Sequence, residues 1–153
     1  MSNVTIRMAG PDDASTIYDL VCQLASYERL SHEVVSTPEH FRRALTGQRT
    51  TLEVLLAETE GQTVGFALFF ETFSTFVGRP GLYLEDIFVL PEYRRNGIAS
   101  SLFDEILRIA HERNYGRIEW SVLDWNEPAI RFYQERGARI LREWLRCRIT
   151  LDP

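Results

Sequence analysis

Lysine is absent from this chain of 153 residues, and cysteine and histidine are scarce, with two and three residues respectively. The two cysteines, Cys22 and Cys147, stand near opposite ends of the chain. Neither a disulfide framework nor a zinc site can be drawn from such a pair. The three histidines have no metal-ligand spacing and no nucleophile partner, so the sequence predicts no metal site.

Long apolar runs are also missing. The longest extends from Val64 to Phe70, far below the roughly 18–20 residues that a membrane helix needs. The segment from Met1 to Arg7 has no apolar core that could serve as a secretory signal. Since 44% hydrophobic and 25% charged residues are ordinary values, we expect a soluble, cytoplasmic, single-domain protein over residues 1–153, without a membrane partner.

Basic residues are fewer than acidic ones, 17 against 22, which gives a net charge of −5. An acidic protein repels nucleic acid at long range and favours cationic partners. Six of the 17 arginines lie between Arg131 and Arg148, but they form no continuous basic run. The sequence therefore predicts no nucleic-acid partner.

Hydrophobic spacing predicts the element order β-α-α-β-β-β-α-β-α-β. The strands are predicted at Val4–Met8, Leu52–Thr59, Gln62–Phe73, Leu82–Val89, Arg117–Leu123 and Ile140–Thr150, the last as one or two strands, with a loop marked by Gly78, Pro80 and Gly81. The helices are predicted from Pro11 toward Tyr27, from Pro38 to near Gly47, from about Gly97 to Arg113, and from Pro128 to Arg136. This order predicts an α/β fold of the α+β type, with a mixed, mostly antiparallel twisted sheet and helices on both faces.

The segment from Glu92 to Ser101 lies between a predicted strand and a predicted amphipathic helix. The first amides of a helix have no intrahelical partner, and the helix dipole adds positive potential there. Two arginines, small residues at Gly97 and Ala99, and two serines complete an anion site suited to a diphosphate. The segment is neither a P-loop nor a Rossmann fingerprint. A solvated turn with two exposed arginines is the structural alternative.

These motifs resemble a known family. The pattern Arg-x-x-Gly-x-Ala after a tyrosine, preceded by a strand ending in Ile-Phe-Val, is similar to the acetyl-CoA-binding motif of the GNAT family of N-acetyltransferases. The segment Trp125–Ala138 resembles the second cofactor motif of that family. Tyr27-Glu28, Leu84-Glu85-Asp86 and Trp125-Asn126-Glu127-Pro128 resemble its spermidine/spermine and thialysine acetyltransferase branch. The resemblance covers roughly Val4 to Thr150 and is densest from Leu84 to Ala138.

The resemblance implies a single-domain GNAT-like fold, acetyl-CoA as co-substrate, a small-molecule amine as acceptor and a homodimer. It implies cofactor contacts from Ile87, Phe88, Val89, Arg94, Arg95, Asn96, Gly97, Ile98, Ala99, Ser100, Asn126, Glu127, Pro128, Ala129 and Tyr133. Tyr133 is the implied general acid for the departing sulfur, and the amide of Val89 is the implied donor to the thioester oxygen. A tyrosine packed in the core is the structural alternative for Tyr133.

The acceptor side is implied to involve Tyr27, Glu28, Glu85, Asp86, Glu119, Trp120 and Ser121. Glu85 is the candidate base, acting through water, because alkyl amines with a pKa of about 10.4 must lose a proton before they attack. Strand alternation predicts that Glu85 and Asp86 point to opposite faces. Neighbouring Leu84 and Ile87 predict a partly desolvated Glu85 with a raised pKa. Structural or solvated carboxylates are the alternative at each acidic position.

The first β-hairpin and the connection after Ala138 are shorter than expected for that branch, so the amine is left open. The sequence predicts acetyl transfer to a polyamine or a thialysine-like amine by direct attack in a ternary complex. Two alternatives stay open. One is transfer to another amine class, such as a peptide N-terminus, an aminoglycoside or an amino acid. The other is a non-catalytic acetyl-CoA-binding module.

Overall fold

The structure is a computed structural model that describes residues 3–47 and 52–152. Met1 and Ser2, which belong to the segment considered above as a signal, lie outside the described residues. The chain divides into two compact units, Met1–Trp120 and Ser121–Pro153, and each is described by itself. Among the described residues, no helix combines the length and apolar character that a membrane span requires.

The described residues of the first unit form five strands and three helices. The strands are β1 (Thr5–Met8), β2 (Leu52–Thr59), β3 (Gln62–Ser74), β4 (Arg79–Val89) and β5 (Ile118–Glu119). The helices are α1 (Ala14–Tyr27), α2 (Pro38–Thr46) and α3 (Ile98–Glu112), with short 3-10 turns at Pro11–Asp13, Ser31–Glu33 and Pro91–Tyr93. In the second unit, α4 spans Glu127–Glu135.

The strands form one sheet in the order β1-β2-β3-β4-β5. The first three pairings are antiparallel, and only β4 and β5 run parallel. A chain that returns by hairpins gives antiparallel neighbours, whereas the long excursion through α3 brings β5 back parallel to β4. The predicted mixed, mostly antiparallel sheet is confirmed.

The two faces of this sheet are covered by different helices. On one face, Ile17, Leu20 and Leu24 of α1 form a buried cluster with strand residues. Those strand residues are Val54, Leu56, Phe66, Leu68 and Phe88. On the other face, a Cβ built on Gly65 would lie 3.5 Å from Leu102 Cδ1 of α3. Because adjacent strand residues point to opposite faces, α1 and α3 cover opposite sides, as predicted.

Strand bounds differ from the prediction on either side of α3. The β3–β4 hairpin continues through the residues predicted as a loop, pairing Thr72 with Gly81 and Phe73 with Pro80. A Cβ on Gly81 would lie 3.0 Å from the carbonyl oxygen of Arg117, so glycine allows the close approach of β5 there. β5 has only two residues instead of the predicted Arg117–Leu123.

In the second unit, the predicted strand at Ile140–Thr150 is wrong. No described residue after α4 is in a helix or strand, and all residues of 139–152 are exposed. The apolar residues of this segment favour a strand, but a strand forms only where a neighbouring edge supplies hydrogen-bond partners. Without such an edge its peptide groups have no partners within the protein.

Candidate active site

The loop before α3 has the backbone geometry of an anion site. Gly97 caps the helix in the left-handed region, with φ at 76°, where glycine carries no Cβ penalty. The amides of Ile98, Ala99 and Ser100 follow as the first of the helix and have no intrahelical carbonyl to bond. Asn96 Nδ2 donates to the carbonyl of Tyr93 at 3.1 Å and fixes the turn. Backbone donors, rather than side chains, therefore form the centre of this loop.

Its two arginines lie in different environments. Arg95 is exposed and holds a positive φ of 66°. Arg94 is half-buried, and its Nε donates to the carbonyl of Val89 at 3.1 Å. The guanidinium carbon of Arg94 lies 4.4 Å from the centre of the Tyr27 ring and 5.5 Å from that of Phe88. The sequence predicted two equivalent cations, whereas the structure directs Arg94 back onto β4 and α1.

One edge of β4 is uncovered within the first unit. The amide of Leu90 donates to the carbonyl of Val64 in β3 at 2.8 Å. Peptide groups alternate along a strand, so those of Val89 point to the opposite edge. On that edge β5 pairs only with Leu82 and Tyr83, and no described strand of the first unit continues past them. Glu85–Val89 can therefore bind an extended ligand arm through its backbone.

The side chains at the carboxyl end of the same segment point into the protein. Phe88 and Val89 are each only 5% exposed, and Ile87 is half-buried. Ile98 is buried in the same way at the start of α3. The resemblance implies that all four contact the cofactor, and the three buried ones, Phe88, Val89 and Ile98, can do so only through their peptide groups.

A β-bulge separates the two adjacent carboxylates of β4. Leu68 pairs with Asp86 and Phe69 pairs with Leu84, so Glu85 is the extra residue without a partner in β3. Directly opposed residues share a face, which places Asp86 beside Leu68 on the α1 side of the sheet. Glu85 is exposed. The simple alternation expected from the sequence is therefore interrupted here.

Burial acts on Asp86 instead of Glu85. It raises the pKa of Asp86 to about 7, with further contributions from the negative charges of Glu85 and Glu28. Burial also raises the pKa of the Glu28 carboxyl. The expected desolvation of Glu85 is thus found at its neighbour, because the bulge turns Asp86 toward the packed face.

The end of α1 supplies the aromatic part of the site. The Tyr27 ring lies 6.3 Å from the ring of Phe88, centre to centre, and packs against the buried cluster. Glu28 follows as the C-cap of α1. The stripe formed by Ile17, Leu20 and Leu24 fixes the helix on the sheet, and this packing brings Tyr27 and Glu28 to β4.

The remaining acceptor-side residues have contacts within the protein. Glu119 pairs with Arg117 at 3.3 Å, and the Trp120 ring meets the Phe103 ring edge-on at 5.5 Å. Both pairs lie in the first unit. In the second unit, Ser121 Oγ accepts a hydrogen bond from Arg146 Nη1 at 2.7 Å. Each of the three residues thus has a contact within its own unit, and their part in acceptor binding stays a prediction.

In the second unit, Asn126 caps α4. Its buried side chain accepts a hydrogen bond from the amide of Ala129 at 3.4 Å, and Pro128 occupies the first turn, where a missing N–H costs nothing. Tyr133 is half-buried, with its ring 5.5 Å from that of Phe132. Glu127 is exposed beside the cap. Ala129 and Tyr133 lie one turn apart on the same face of α4.

The described residues contain no group of three His, Cys, Asp or Glu side chains placed to hold a metal ion. The groups described above that are available for chemistry are carboxylates, a tyrosine and backbone amides. Such a set can bind an anion at a helix start, accept a proton and donate one.

Solved structures with this fold include acetyltransferases. One is an aminoglycoside acetyltransferase from an uncultured soil metagenomic sample, in complex with sisomicin. Its TM-score is 0.81 at 16% identity, with 97% of each chain covered. A likeness at this identity shows the fold alone.

Residues 17–138 match the model of the Acetyltransferase (GNAT) family, and the chain belongs to this family. The thialysine N-epsilon-acetyltransferase of Sus scrofa is 36% identical, over 94% of this chain and 88% of that protein. The L-ornithine N5-acetyltransferase NATA1 of Arabidopsis thaliana is 30% identical, over 96% and 84%. The chain is accordingly an acetyl-CoA-dependent N-acetyltransferase, and the predicted family and branch are confirmed.

Proposed function

We propose that the enzyme acetylates a primary amine of a small cationic substrate, a polyamine or a thialysine-like amine, by direct attack within a ternary complex. The observation that carries this proposal is the group of Glu28, Glu85 and Asp86, whose charges are close enough to raise the pKa of Asp86 together. Three carboxylates beside an aromatic ring favour a substrate with more than one positive charge.

The relatives support the same class of acceptor. They act, by their names, on thialysine and on L-ornithine at N5, and a further relative in Homo sapiens is a spermidine/spermine N(1)-acetyltransferase-like protein. Each of these names describes a small amine. The three carboxylates would bind a second cationic or zwitterionic group on such an amine. The reacting nitrogen would meanwhile lose its proton and become neutral.

In the proposed reaction, the neutral amine nitrogen attacks the thioester carbonyl carbon, and the carbon–sulfur bond breaks. The ammonium nitrogen loses one proton to Asp86 before the attack, since a pKa of about 7 suits a base at neutral pH, and the nitrogen of the adduct loses a second proton along the same path as the amide forms. Glu85, exposed on the bulge, relays that proton through water and binds the substrate. Tyr133 donates its hydroxyl proton to the leaving thiolate and is restored from solvent.

The co-substrate is proposed to bind through backbone groups. The amides of Ile98, Ala99 and Ser100 would hold the diphosphate, with charge added by Arg95. The edge of β4 would pair with the extended arm, and the Val89 amide would donate to the thioester oxygen. In the second unit, Asn126, Glu127, Pro128, Ala129 and Tyr133 are the proposed contacts.

A two-step experiment tests the function. Acetyl-CoA should first raise the melting temperature of the purified chain, since a ligand that binds only the folded state stabilises it. CoA release is then followed with spermidine, thialysine, ornithine, an aminoglycoside and a peptide with a free N-terminus. We expect the highest kcat/KM among the first three acceptors. Highest activity on the peptide or the aminoglycoside would instead assign another amine class, and binding without turnover would favour a non-catalytic module.

A matched pair of acceptors tests the carboxylate group. Glu28→Gln should raise the KM for spermidine by about tenfold, the effect of losing one favourable charge contact of about 1.4 kcal/mol. The KM for a monoamine of similar length should change much less. Equal changes for both acceptors would mean that Glu28 has a structural role.

We further propose that the chain forms a single functional domain and a homodimer in the cytoplasm. Exposed apolar side chains support the dimer: Phe76 at the tip of the β3–β4 hairpin is 94% exposed, and Trp144 is 72% exposed. Large apolar side chains in such positions are typical of interaction surfaces.

A further inference from the structure

Arg94 connects three elements of the first unit. Its Nε donates to the carbonyl of Val89 at 3.1 Å, and its guanidinium carbon lies 4.4 Å from the centre of the Tyr27 ring. Phe88, 5.5 Å from the same carbon, forms the other aromatic neighbour. Among the described residues, no carboxylate is found within ion-pair distance of the Arg94 guanidinium.

The contacts suit a guanidinium and no other side chain. Its plane stacks on an aromatic face while Nε–H donates within that plane, so a carbonyl and a ring can be held at once. The ammonium of lysine is a compact, strongly hydrated charge on a flexible stem and cannot reproduce this pair of contacts. The shape of the Arg94 side chain therefore matters here as well as its charge.

The two partners of Arg94 lie on different sides of the reaction. The peptide group of Val89 is on the uncovered edge of β4, where the acyl end of the co-substrate would lie. Tyr27 precedes Glu28 at the end of α1, in the proposed acceptor pocket. Arg95, exposed next to the free amides of α3, provides a cation for the diphosphate without Arg94.

We propose that Arg94 is a positioning residue that couples the co-substrate edge of β4 to the acceptor pocket by holding the Val89 carbonyl and the Tyr27 ring. It fixes the distance between the thioester and the attacking amine. This inference rests on the proposed function insofar as it places the amine beside Tyr27 and Glu28.

Arg94→Lys tests the inference because it keeps the charge and removes the planar contacts. We expect kcat/KM for the amine, at saturating acetyl-CoA, to fall by about tenfold, the usual size of a half-buried cation–π contact. The dissociation constant for CoA, measured by calorimetry without amine, should stay within about twofold. Arg95→Gln should show the reverse pattern, with weaker CoA binding. Arg43→Lys, on the exposed side of α2, is the control for an arginine-to-lysine change.

A double-mutant cycle identifies the contact itself. Tyr27→Leu removes the ring, and in the Arg94→Lys background it should cause little further loss of kcat/KM, because the shared contact is already gone. Independent, multiplicative losses would overturn the coupling. A loss of CoA affinity in Arg94→Lys as large as its loss of kcat/KM would overturn it as well, and would assign Arg94 to the diphosphate.

The same double-mutant cycle can be measured without ligands, with the urea midpoint of unfolding as the measured quantity. There Arg94→Lys and Tyr27→Leu should also be non-additive, and additive effects would contradict the contact. If the wild-type enzyme acetylates none of the proposed amines, the proposed function fails. The CoA dissociation constants and the unfolding cycle still decide the role of Arg94 in that case. If Arg94→Lys does not fold, Tyr27→Leu is compared with Tyr27→Phe, which keeps the ring, and only the former should lose activity by about tenfold.

Discussion

The bulge residue of β4 determines which of two adjacent carboxylates is turned toward the packed face of the sheet. Glu85 occupies the bulge and stays exposed, while Asp86 pairs with Leu68 on the packed face. Two adjacent acidic side chains of one strand thus differ in their exposure to water. A proton acceptor needs a pKa near the working pH, and burial raises that of Asp86 to about 7. At the residue scale, the backbone register thus determines which carboxylate we propose as the base.

The pH profile tests this assignment. We expect kcat/KM for the amine to rise with pH through an inflection near 7, as the Asp86 carboxyl with its pKa of about 7 loses its proton. Asp86→Asn should lower kcat by about 10² and remove the inflection. Initial rates from pH 5 to 9, with acceptors of different basicity, are the measurement. An inflection that follows the pKa of the acceptor would contradict the role of Asp86.

The same substitution has a pH-dependent effect on stability. The pKa of Asp86 is raised from 3.8 to about 7, so the unfolded chain releases this proton first as the pH rises. The contribution of the protonated form to stability is full below pH 4 and is lost as the pH rises to about 7. At pH 8, Asp86→Asn should be more stable than wild type by roughly 2 kcal/mol, about half the full linkage value because water screens a partly accessible site. Thermal melts at pH 8 and pH 4.5 should show a clearly larger gain at pH 8, and an equal gain at both would exclude this linkage.

Tyr133 is tested by removing one oxygen. Tyr133→Phe should lower kcat by about 10², the usual effect of losing a general acid. Its affinity for CoA should change little, because the ring and its contact with Phe132 are kept. Phe132→Leu, which alters the ring contact and leaves the hydroxyl, is the control. An unchanged kcat in Tyr133→Phe would remove this residue from the mechanism.

At the scale of elements, apolar spacing predicted what depends on local sequence. The stripe of Ile17, Leu20 and Leu24 and the apolar face of α3 were sufficient to place both helices. The anion loop was also predictable, because Gly97 and the helix start are local features. Glu85 and Asp86 were named, but their roles depended on the bulge against β3, and no pattern within β4 marks it.

The site was less predictable where contacts join distant segments. From the sequence, Arg94 and Arg95 were both assigned to the anion site because both lie in the loop. The contacts of Arg94 with the carbonyl of Val89 and the ring of Tyr27 are made only by folding. The segment Ile140–Thr150 has apolar residues suited to a strand, but pairing requires a second edge that the local sequence does not contain. Long-range contacts account for both differences.

The β3–β4 pair offers a test of close packing at the element scale. A Cβ on Gly65 would lie 2.9 Å from the carbonyl oxygen of Phe88 and 3.2 Å from Val89 Cγ2. Gly65→Ala should therefore destabilise the fold by about 2 kcal/mol through overpacking. It should also raise the KM for acetyl-CoA, since the shifted strand carries the uncovered edge. Gly10→Ala, where nothing lies within 4 Å of the added Cβ, is the matched control for urea unfolding, and equal midpoints of the two variants would contradict the close contact.

On the scale of the whole molecule, charge and proposed substrate agree in sign. The chain carries a net charge of −5, and three of its carboxylates are neighbours in the proposed acceptor site. Cationic amines are attracted at long range, whereas the anionic co-substrate approaches against the net charge and depends on local donors. The backbone amides of α3 and the charge of Arg95 are the donors that we propose for it.

Association is the last prediction. All residues of 139–152 are exposed, including Leu145 at 85% and Ile149 at 88%. Contact between apolar side chains and water costs free energy, and unpaired peptide groups can hydrogen-bond to another chain. We therefore expect this segment to pack against a second copy. Sedimentation should give twice the 17.8 kDa of one chain. Trp144→Ser combined with Ile149→Ser should shift the enzyme toward the monomer, and Arg142→Ser, an exposed polar change in the same segment, should not. A wild-type chain that sediments at 17.8 kDa at all concentrations would show that the segment has another role.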